Sequence, residues 1–167
     1  MWRWRRILRH AFTTPAALRR AFPAAALERI QQAIATAEAT TTGEIRFAVE
    51  SSLPWSYLRR DAPARERALM LFAKLRVWDT EANNGVLIYV ELADHGIEIV
   101  ADRGIARHVA AAEWRAIVDA MRERFRRGEF EAGVVAAVGA VGALLARHFP
   151  AAGGENPDEL PNRPTVL

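Results

Sequence analysis

The sequence predicts an α/β fold in which helices flank a small mixed β-sheet, in two or three layers. An alternating segment, EIRFAVE at 44–50, and a nearly continuous aliphatic segment at 86–92 both have the composition of strands. A segment with helical spacing lies between them. A further strand follows the tight-turn sequence Asp94-His95-Gly96, in which Gly96 suits a positive φ. The predicted order is therefore strand, helix, strand and strand, with the last two forming a hairpin.

The first two helices are predicted from apolar spacing and from residues typical of helix ends. One helix begins after Pro23 and ends at the segment 40–43, TTTG. A second begins after Asp61 and Pro63 and connects the first two strands. A strand-helix-strand connection of this length joins parallel neighbours, so the first two strands are expected to be parallel and the hairpin strand antiparallel.

Two more helices are predicted after the hairpin. The first covers 113–127 and is stopped by Gly128, and the second covers 130–148. The second helix has an uncharged centre of only fourteen residues, GVVAAVGAVGALLA, which is short for a membrane span. We therefore interpret it as a buried packing helix whose small residues allow close approach to its neighbours.

Composition indicates one compact domain with a tail at each end. The chain has 167 residues, 51% of them hydrophobic, and a net charge of +3. It has no cysteine, which excludes disulfides, cysteine-ligated zinc and thiol catalysis. The predicted division is a basic aromatic segment at 1–22, an α/β domain at 23–150 and a flexible tail at 151–167 with no regular structure. Oligomeric state is not predicted.

The N-terminal segment is the most uneven part of the charge distribution. Its first twenty residues contain six arginines and no acid, interleaved with large apolar side chains. Such a segment suits an anionic membrane surface or an acidic partner, and the alternative is a helix packed on the domain by its tryptophans. Acids balance the basic residues elsewhere, so nucleic acid is not an expected partner. The predicted contact residues are Trp2, Arg3, Trp4, Arg5 and Arg6.

The inferred topology gathers oxygen-bearing side chains at one end of the sheet. They precede the first two strands or follow the hairpin strand, and they are Glu44, Asp79, Asn84 and Asp102. Carboxylate and amide oxygens suit a divalent cation such as calcium or magnesium, which could polarise a phosphoryl group. The alternative interpretation gives these residues ordinary helix-end, turn and cap roles.

The opposite end of the sheet carries Ser51, Ser52, Asp94 and His95, which together invite a hydrolase triad. The sequence has no nucleophile-elbow motif, no phosphate-binding glycine loop and no dinucleotide fingerprint. A tight turn accounts for Asp94-His95-Gly96, and we favour that interpretation.

Three segments of the chain carry a family resemblance. They are TGEIRFAVE, then NNGVLIYVELADHGIEIVADRGI, then EWRAIVDAMRERFRRGEFEAGVVAAVGAV. Together they resemble the TPM domain family, named after a thylakoid lumen protein, a photosystem II repair protein and a nematode receptor-modulating protein. The resemblance covers about Pro23 to Pro150. Its most specific parts are Asn84-Gly85, the IEIVADRGI strand and the F-x-x-G-x-F-x-x-G run that begins at Phe125.

The resemblance implies a helix-flanked mixed sheet and two classes of function. Plant lumenal members are described as calcium-binding acid phosphatases, and others act as assembly factors for membrane complexes. For this chain we expect a non-catalytic binding or assembly module, associated with a membrane or a membrane-protein complex. The alternative is a divalent-metal-dependent acid phosphatase at the Asp79, Asn84, Asp102 and Glu44 end. The chain resembles the short soluble bacterial form, so the expected location is cytoplasmic, peripheral to the inner membrane.

Overall fold

The computed structural model describes the backbone of residues 2–151 and 159–167 and the side chains of residues 4–151 and 159–167. Its elements are α1 (Trp2–Phe12), α2 (Pro15–Ala21), α3 (Ala24–Glu38), β1 (Glu44–Glu50), α4 (Trp55–Arg59), α5 (Ala64–Lys74), β2 (Gly85–Glu91), β3 (Gly96–Ala101), α6 (Arg103–Ala106), α7 (Ala111–Arg126), α8 (Phe130–His148) and β4 (Thr165–Val166). The described part of the chain therefore has the predicted helices and strands, and α2, α4 and β4 are among the elements that the sequence did not predict.

The strands form one mixed sheet in the order β3-β2-β1-β4. β1 and β2 are parallel and in register from Glu44 opposite Gly85 to Glu50 opposite Glu91. β2 and β3 form the antiparallel hairpin. The predicted α/β fold and the orientation of its first three strands are confirmed. In the hairpin turn, however, His95 rather than Gly96 takes the positive φ, at 55°. Gly96 is needed for close approach, because a Cβ there would meet Ala64 Cβ.

One face of the sheet packs against α3, α7 and α8. Ile45, Phe47 and Val49 alternate along β1 and point into this core. The turn between α7 and α8 closes the core, because Gly128 adopts a φ of 76° and brings Phe130 within 5.0 Å of Phe125, ring centre to ring centre. The F-x-x-G-x-F pattern is thus a structural device for joining two packed helices.

The helix α8 is buried in this same core, as its small residues predicted. Gly142 faces α3 so closely that a Cβ would meet Ala37 Cβ, and Val138, Val141 and Leu145 are buried. Among the described helices, α8 is the one long and apolar enough to cross a membrane by length and composition. Its contacts with α3 and α7 account for that apolar character within the domain.

The other face of the sheet is covered by α5, which makes three layers in all. Leu71 of α5 packs there against Leu87 and Tyr89. A charged pair is buried with them, since Arg67 donates to both carboxylate oxygens of Glu50 at 2.8 and 2.9 Å. The Tyr89 hydroxyl donates to the same carboxylate. Glu50 therefore has a full set of partners, as a buried carboxylate requires.

The described C-terminal residues, 159–167, depart from the flexible tail that the sequence predicts for 151–167, whereas 152–158 lie outside the described residues. Residues 165–166 form β4, parallel to β1. The buried Arg46 of β1 donates to the Pro161 carbonyl and to the Thr165 hydroxyl, and Leu160 is buried under the sheet. The physical reason is that the charged side chains on this face of β1 need partners once they are buried, and the C-terminal segment supplies them.

Candidate functional site

The N-terminal helix α1 turns its apolar residues away from the domain. Trp4, Leu8 and Phe12 are 72%, 53% and 79% exposed, and their spacing of four residues places them along one face of the helix. Arg5 is exposed as well. Trp2 and Arg3 were also predicted to contact a partner, and their side chains lie outside the described residues. The result is an outward apolar stripe, which we define as Trp4, Leu8 and Phe12.

The same helix is attached to the domain by charged side chains. Arg6 donates from Nε to Asp94 Oδ2 at 2.6 Å, from Nη1 to Asp61 Oδ1 at 2.6 Å and from Nη2 to the Ala62 carbonyl at 2.7 Å. Arg9 also donates to Asp94. Arg6, which the sequence grouped with the outward contact residues, therefore faces the domain. Of the two interpretations of this segment, packing by tryptophan does not describe Trp4, which is exposed.

A third attachment is a buried cluster that we call the His10 latch: His10, Ser52, Leu53, Glu91 and Asp94. His10 is 3% exposed, and its Nδ1 accepts the Leu53 backbone N–H at 3.1 Å and lies 3.0 Å from Ser52 Oγ. Because Nδ1 is an acceptor, a neutral imidazole carries its proton on Nε2. Nε2 lies 3.1 Å from Asp94 Oδ2, a close contact without the alignment of a hydrogen bond.

Glu91 is the fully buried carboxyl group of the latch. Its two oxygens accept the backbone N–H groups of Ala93 and Asp94, each at 2.8 Å. Burial nevertheless raises the pKa of Glu91 to about 7, against these two hydrogen bonds, which favour the charged form. Burial also lowers the pKa of His10, against the nearby Asp94 carboxylate. The latch thus contains a carboxyl group with a raised pKa beside an imidazole with a lowered pKa.

Two chemical roles are conceivable for the His10 latch beyond attachment. His10, Glu91 and Asp94 bring ligand atoms within 4.8 Å of one another, which is the spacing of a metal site. The guanidinium groups of Arg6 and Arg9 occupy the Asp94 oxygens, however, and a divalent cation there would be repelled. Ser52, His10 and Asp94 also form a hydrolase-like chain, but the Nδ1 lone pair needed by a base already accepts the Leu53 N–H. Attachment of α1 is the role that fits all contacts.

The other end of the sheet holds the predicted cation ligands. Asn84 is fully buried, and its Nδ2 donates to the Thr42 carbonyl at 3.1 Å. Asp102 lies beside it, because its N–H donates to the carbonyl of the next residue, Gly85, at 2.9 Å. Within the described residues, Asn84 Oδ1 and Asp102 Oδ2 are buried without a hydrogen-bond donor. Oxygen atoms of this kind are the ligands that a hard cation binds, and two of them lie at this end of the sheet.

Glu44 and Asp79, the other two predicted ligands, have partners of their own. The Glu44 carboxylate accepts the backbone N–H groups of Glu159 and Leu160, both at 3.3 Å, and so helps to hold the C-terminal segment. The Asp79 carboxylate accepts from Arg76 at 2.5 Å on the surface. Among the described residues, the carboxylates of Glu44, Asp79 and Asp102 do not form a metal-type group of three. Of the four predicted ligands, Asn84 and Asp102 are therefore the two that remain candidates for binding a cation.

Gly85 and Gly104 explain why the chain is so closely packed at this end. A Cβ on Gly85 would meet the Val77 carbonyl oxygen, and a Cβ on Gly104 would meet the Asn83 carbonyl oxygen. The Gly104 N–H donates to that Asn83 oxygen at 2.8 Å. Both glycines therefore allow backbone segments to approach around Asn84 and Asp102.

Comparison with known proteins assigns this architecture. A family model described as the TPM domain matches residues 19–144, so α1 lies outside the match. Among solved structures, the chain is similar to the NMR structure of the BA42 protein from the psychrophilic bacterium Bizionia argentinensis. The two share 32% sequence identity with a TM-score of 0.77, and the alignment covers 87% of this chain and 95% of that one. No protein with a curated description matches the chain.

Proposed function

This chain belongs to the TPM domain family, and on that premise we propose that it is a non-catalytic binding module that attaches to an anionic membrane surface through α1. The observation that carries this proposal is the orientation of α1. The helix uses its arginines and His10 to hold the domain and leaves Trp4, Leu8 and Phe12 outward. An amphipathic helix in a self-contained domain normally does the reverse and buries its apolar face.

Charge favours an anionic bilayer as the occupant of the outward apolar stripe. The first acidic residue of the chain is Glu28, whereas Arg5, Arg19 and Arg20 precede it and are exposed. Each arginine near an anionic leaflet contributes on the order of 1 kcal/mol to attachment. Apolar insertion alone gives marginal attachment, and the combination of a stripe with basic residues gives stable but reversible attachment. We place the module at the cytoplasmic face of the inner membrane, where it would serve a membrane complex.

Co-sedimentation with lipid vesicles tests this function. We expect the wild-type protein to pellet with phosphatidylglycerol vesicles and to stay in solution with phosphatidylcholine vesicles. The variant Leu8→Ser removes one apolar contact and should weaken pelleting about tenfold, equivalent to about 1.4 kcal/mol. Leu69→Ser is the matched control, since Leu69 of α5 is 48% exposed outside the stripe. Equal pelleting of the two variants, or none by the wild type, would contradict membrane attachment.

A second candidate function, a divalent-cation-dependent acid phosphatase, is favoured by one specific observation. The buried oxygens Asn84 Oδ1 and Asp102 Oδ2 have no donor within the described residues. They fit calcium or magnesium, and such a cation when bound would polarise a phosphoryl oxygen. Asn84 and Asp102 would hold it, with Glu44 at the neighbouring strand end.

Calcium titration followed by backbone amide NMR separates cation binding from catalysis. Binding predicts saturable shifts at Asn84 and Asp102 that Asp102→Asn removes. Asp119→Asn is the control, because Asp119 is a surface carboxylate on α7 paired with Arg122. Hydrolysis of p-nitrophenyl phosphate is then measured with and without the cation. Silent amides would exclude the cation site, and bound calcium without hydrolysis would exclude the phosphatase alone.

A further inference from the structure

A cleft in the described surface lies at the end of the sheet opposite Asn84. Its volume is about 870 Å³, and it is formed by the end of α1, by α2, by the β2–β3 turn and by the α7–α8 turn. The parallel strands β1 and β2 both end here, and ligands of α/β proteins commonly bind beyond the carboxyl ends of such strands. The volume falls in the range of small-molecule sites, about 300–1,000 Å³. We call it the α2 cleft.

The α2 cleft has more unpaired positive charge than unpaired negative charge among the described residues. Its two acidic side chains are both neutralised: Arg29 binds Glu131 with bonds of 2.5 and 2.7 Å, and Arg127 binds Glu129 at 3.0 Å. The side chain of Arg20, by contrast, has neither an ion pair nor a hydrogen bond among the described residues. This leaves a guanidinium available for an anion.

Two further basic side chains border the α2 cleft. Arg9 lines it while it donates to Asp94. The imidazole of His95 lines it too and makes no hydrogen bond or ion pair with any described residue. A planar guanidinium and an imidazole that line one cleft are suited to phosphate or carboxylate oxygens.

Apart from Thr13, the rest of the lining is apolar, and many of its side chains are small. Ala17, Ala21 and Pro23 come from α2 and the start of α3, and Leu92 and Phe130 from the two turns. The small residues leave this cleft open rather than filled. A ligand matching it therefore carries an anionic head for Arg20 and an apolar part for the apolar lining.

We propose that the α2 cleft binds a free anionic amphiphile, a single alkyl chain that ends in a phosphate. The head lies on Arg20 and His95, and the chain lies against Ala17, Ala21 and Leu92. This site is distinct from the outward apolar stripe of α1 and from the cation site at Asn84, and it goes beyond both proposed functions.

The proposal is tested with octyl phosphate, kept below its micelle concentration and in the absence of vesicles, while backbone amides are followed by NMR. We expect saturable shifts at Ala17, Leu92 and Gly128. Arg20→Gln should raise the dissociation constant at least about tenfold, the loss of one charge-assisted contact. Arg19→Gln is the matched control, because Arg19 is the exposed neighbour on α2 that does not line the cleft.

Two control ligands test separately the need for the anionic head and the need for the alkyl chain. Octyl glucoside has the same chain without charge, and inorganic phosphate has the head without the chain; both should bind at least about tenfold more weakly if each contact supplies about 1.4 kcal/mol. Equal binding of octyl glucoside, equal affinity of the Arg20 and Arg19 variants, or shifts only when vesicles are present would overturn the proposal. Unchanged amide signals in α3 and β1 show that the variants remain folded.

Discussion

The substitution Glu91→Gln should change how the stability of the protein depends on pH. Glu91 is fully buried at the end of β2, beside His10 and Asp94. Glutamine keeps the size of the side chain and one carbonyl acceptor for the backbone N–H groups that glutamate binds. It cannot ionise. The variant therefore removes the titration of Glu91 and one of its two acceptor oxygens.

The magnitude follows from the raised pKa. Burial moves the pKa of Glu91 from 4.5 in the unfolded chain to about 7 in the folded one. At about 1.4 kcal/mol per pKa unit, ionising this group in the folded protein costs about 3 kcal/mol. Since the folded-state pKa is the higher one, the stabilisation is complete below pH 4.5 and is lost as the pH rises through 7.

Urea denaturation of both proteins between pH 4.5 and 8 measures this cost. Relative to the wild type, Glu91→Gln should gain about 3 kcal/mol in free energy of unfolding across that interval. At pH 4.5 it should be less stable by about 1–3 kcal/mol, because one backbone donor loses its partner. Glu98→Gln on β3 controls for the chemical change itself. A difference between Glu91→Gln and wild type that stays constant with pH, or that shrinks as the pH rises, would refute the reasoning.

Two other changes test the attachment of α1 and the buried pair under α5. His10→Ala leaves the Leu53 N–H without an acceptor at a cost of about 1–3 kcal/mol, so amide hydrogen exchange in α1 should speed up about tenfold or more while α3 is unaffected. Acid should have the same effect, because burial lowers the pKa of His10 and the stabilisation, complete above pH 6.5, is lost as the pH falls through the folded-state value. Arg67→Leu leaves Glu50 buried without its counter-charge and should lower the free energy of unfolding by about 3–5 kcal/mol in urea, and an unchanged midpoint would show that the pair is not needed.

The central sheet could be predicted because its information is local. The alternation in EIRFAVE, the aliphatic β2 segment and the turn at Asp94 each specify a strand or its end, and the connection length makes β1 and β2 parallel. In the hairpin turn, the residue with a positive φ is His95, whereas the sequence predicted Gly96. Glycine is needed at position 96 for another reason: a Cβ there would clash with Ala64 of α5, which is far away in sequence.

The C-terminal strand could not be predicted because its partners are far away in sequence. The segment after Pro150 is rich in glycine and proline, which by itself indicates a loop. Its described part, 159–167, is held by Arg46 and Glu44, more than a hundred residues earlier. The sequence did contain one signal for it, on β1. Glu44 and Arg46 lie on the second face of a strand that is buried on both faces, and buried charges require partners from another part of the chain.

The His10 latch was missed for a similar reason. In the sequence His10 is one of four scattered histidines, and the turn chemistry drew attention to His95 instead. The helix α1 brings His10 onto Asp94, a contact across 84 residues that spacing does not encode. The outward residues Trp4 and Arg5 were predicted as a contact surface, whereas Arg6 was grouped with them and is a domain contact.

Fluorine NMR of 5-fluorotryptophan-labelled protein tests membrane attachment by α1 most directly, because each tryptophan reports on its own surroundings. On addition of bicelles that contain phosphatidylglycerol, the Trp4 signal should shift and broaden. The Trp78 signal should not change, although its side chain is 48% exposed, because it lies after α5 near the opposite end of the sheet. Bicelles of phosphatidylcholine should leave both signals in place. A Trp4 signal that stays unchanged on anionic bicelles, or that changes no more than Trp78, would contradict the proposed attachment.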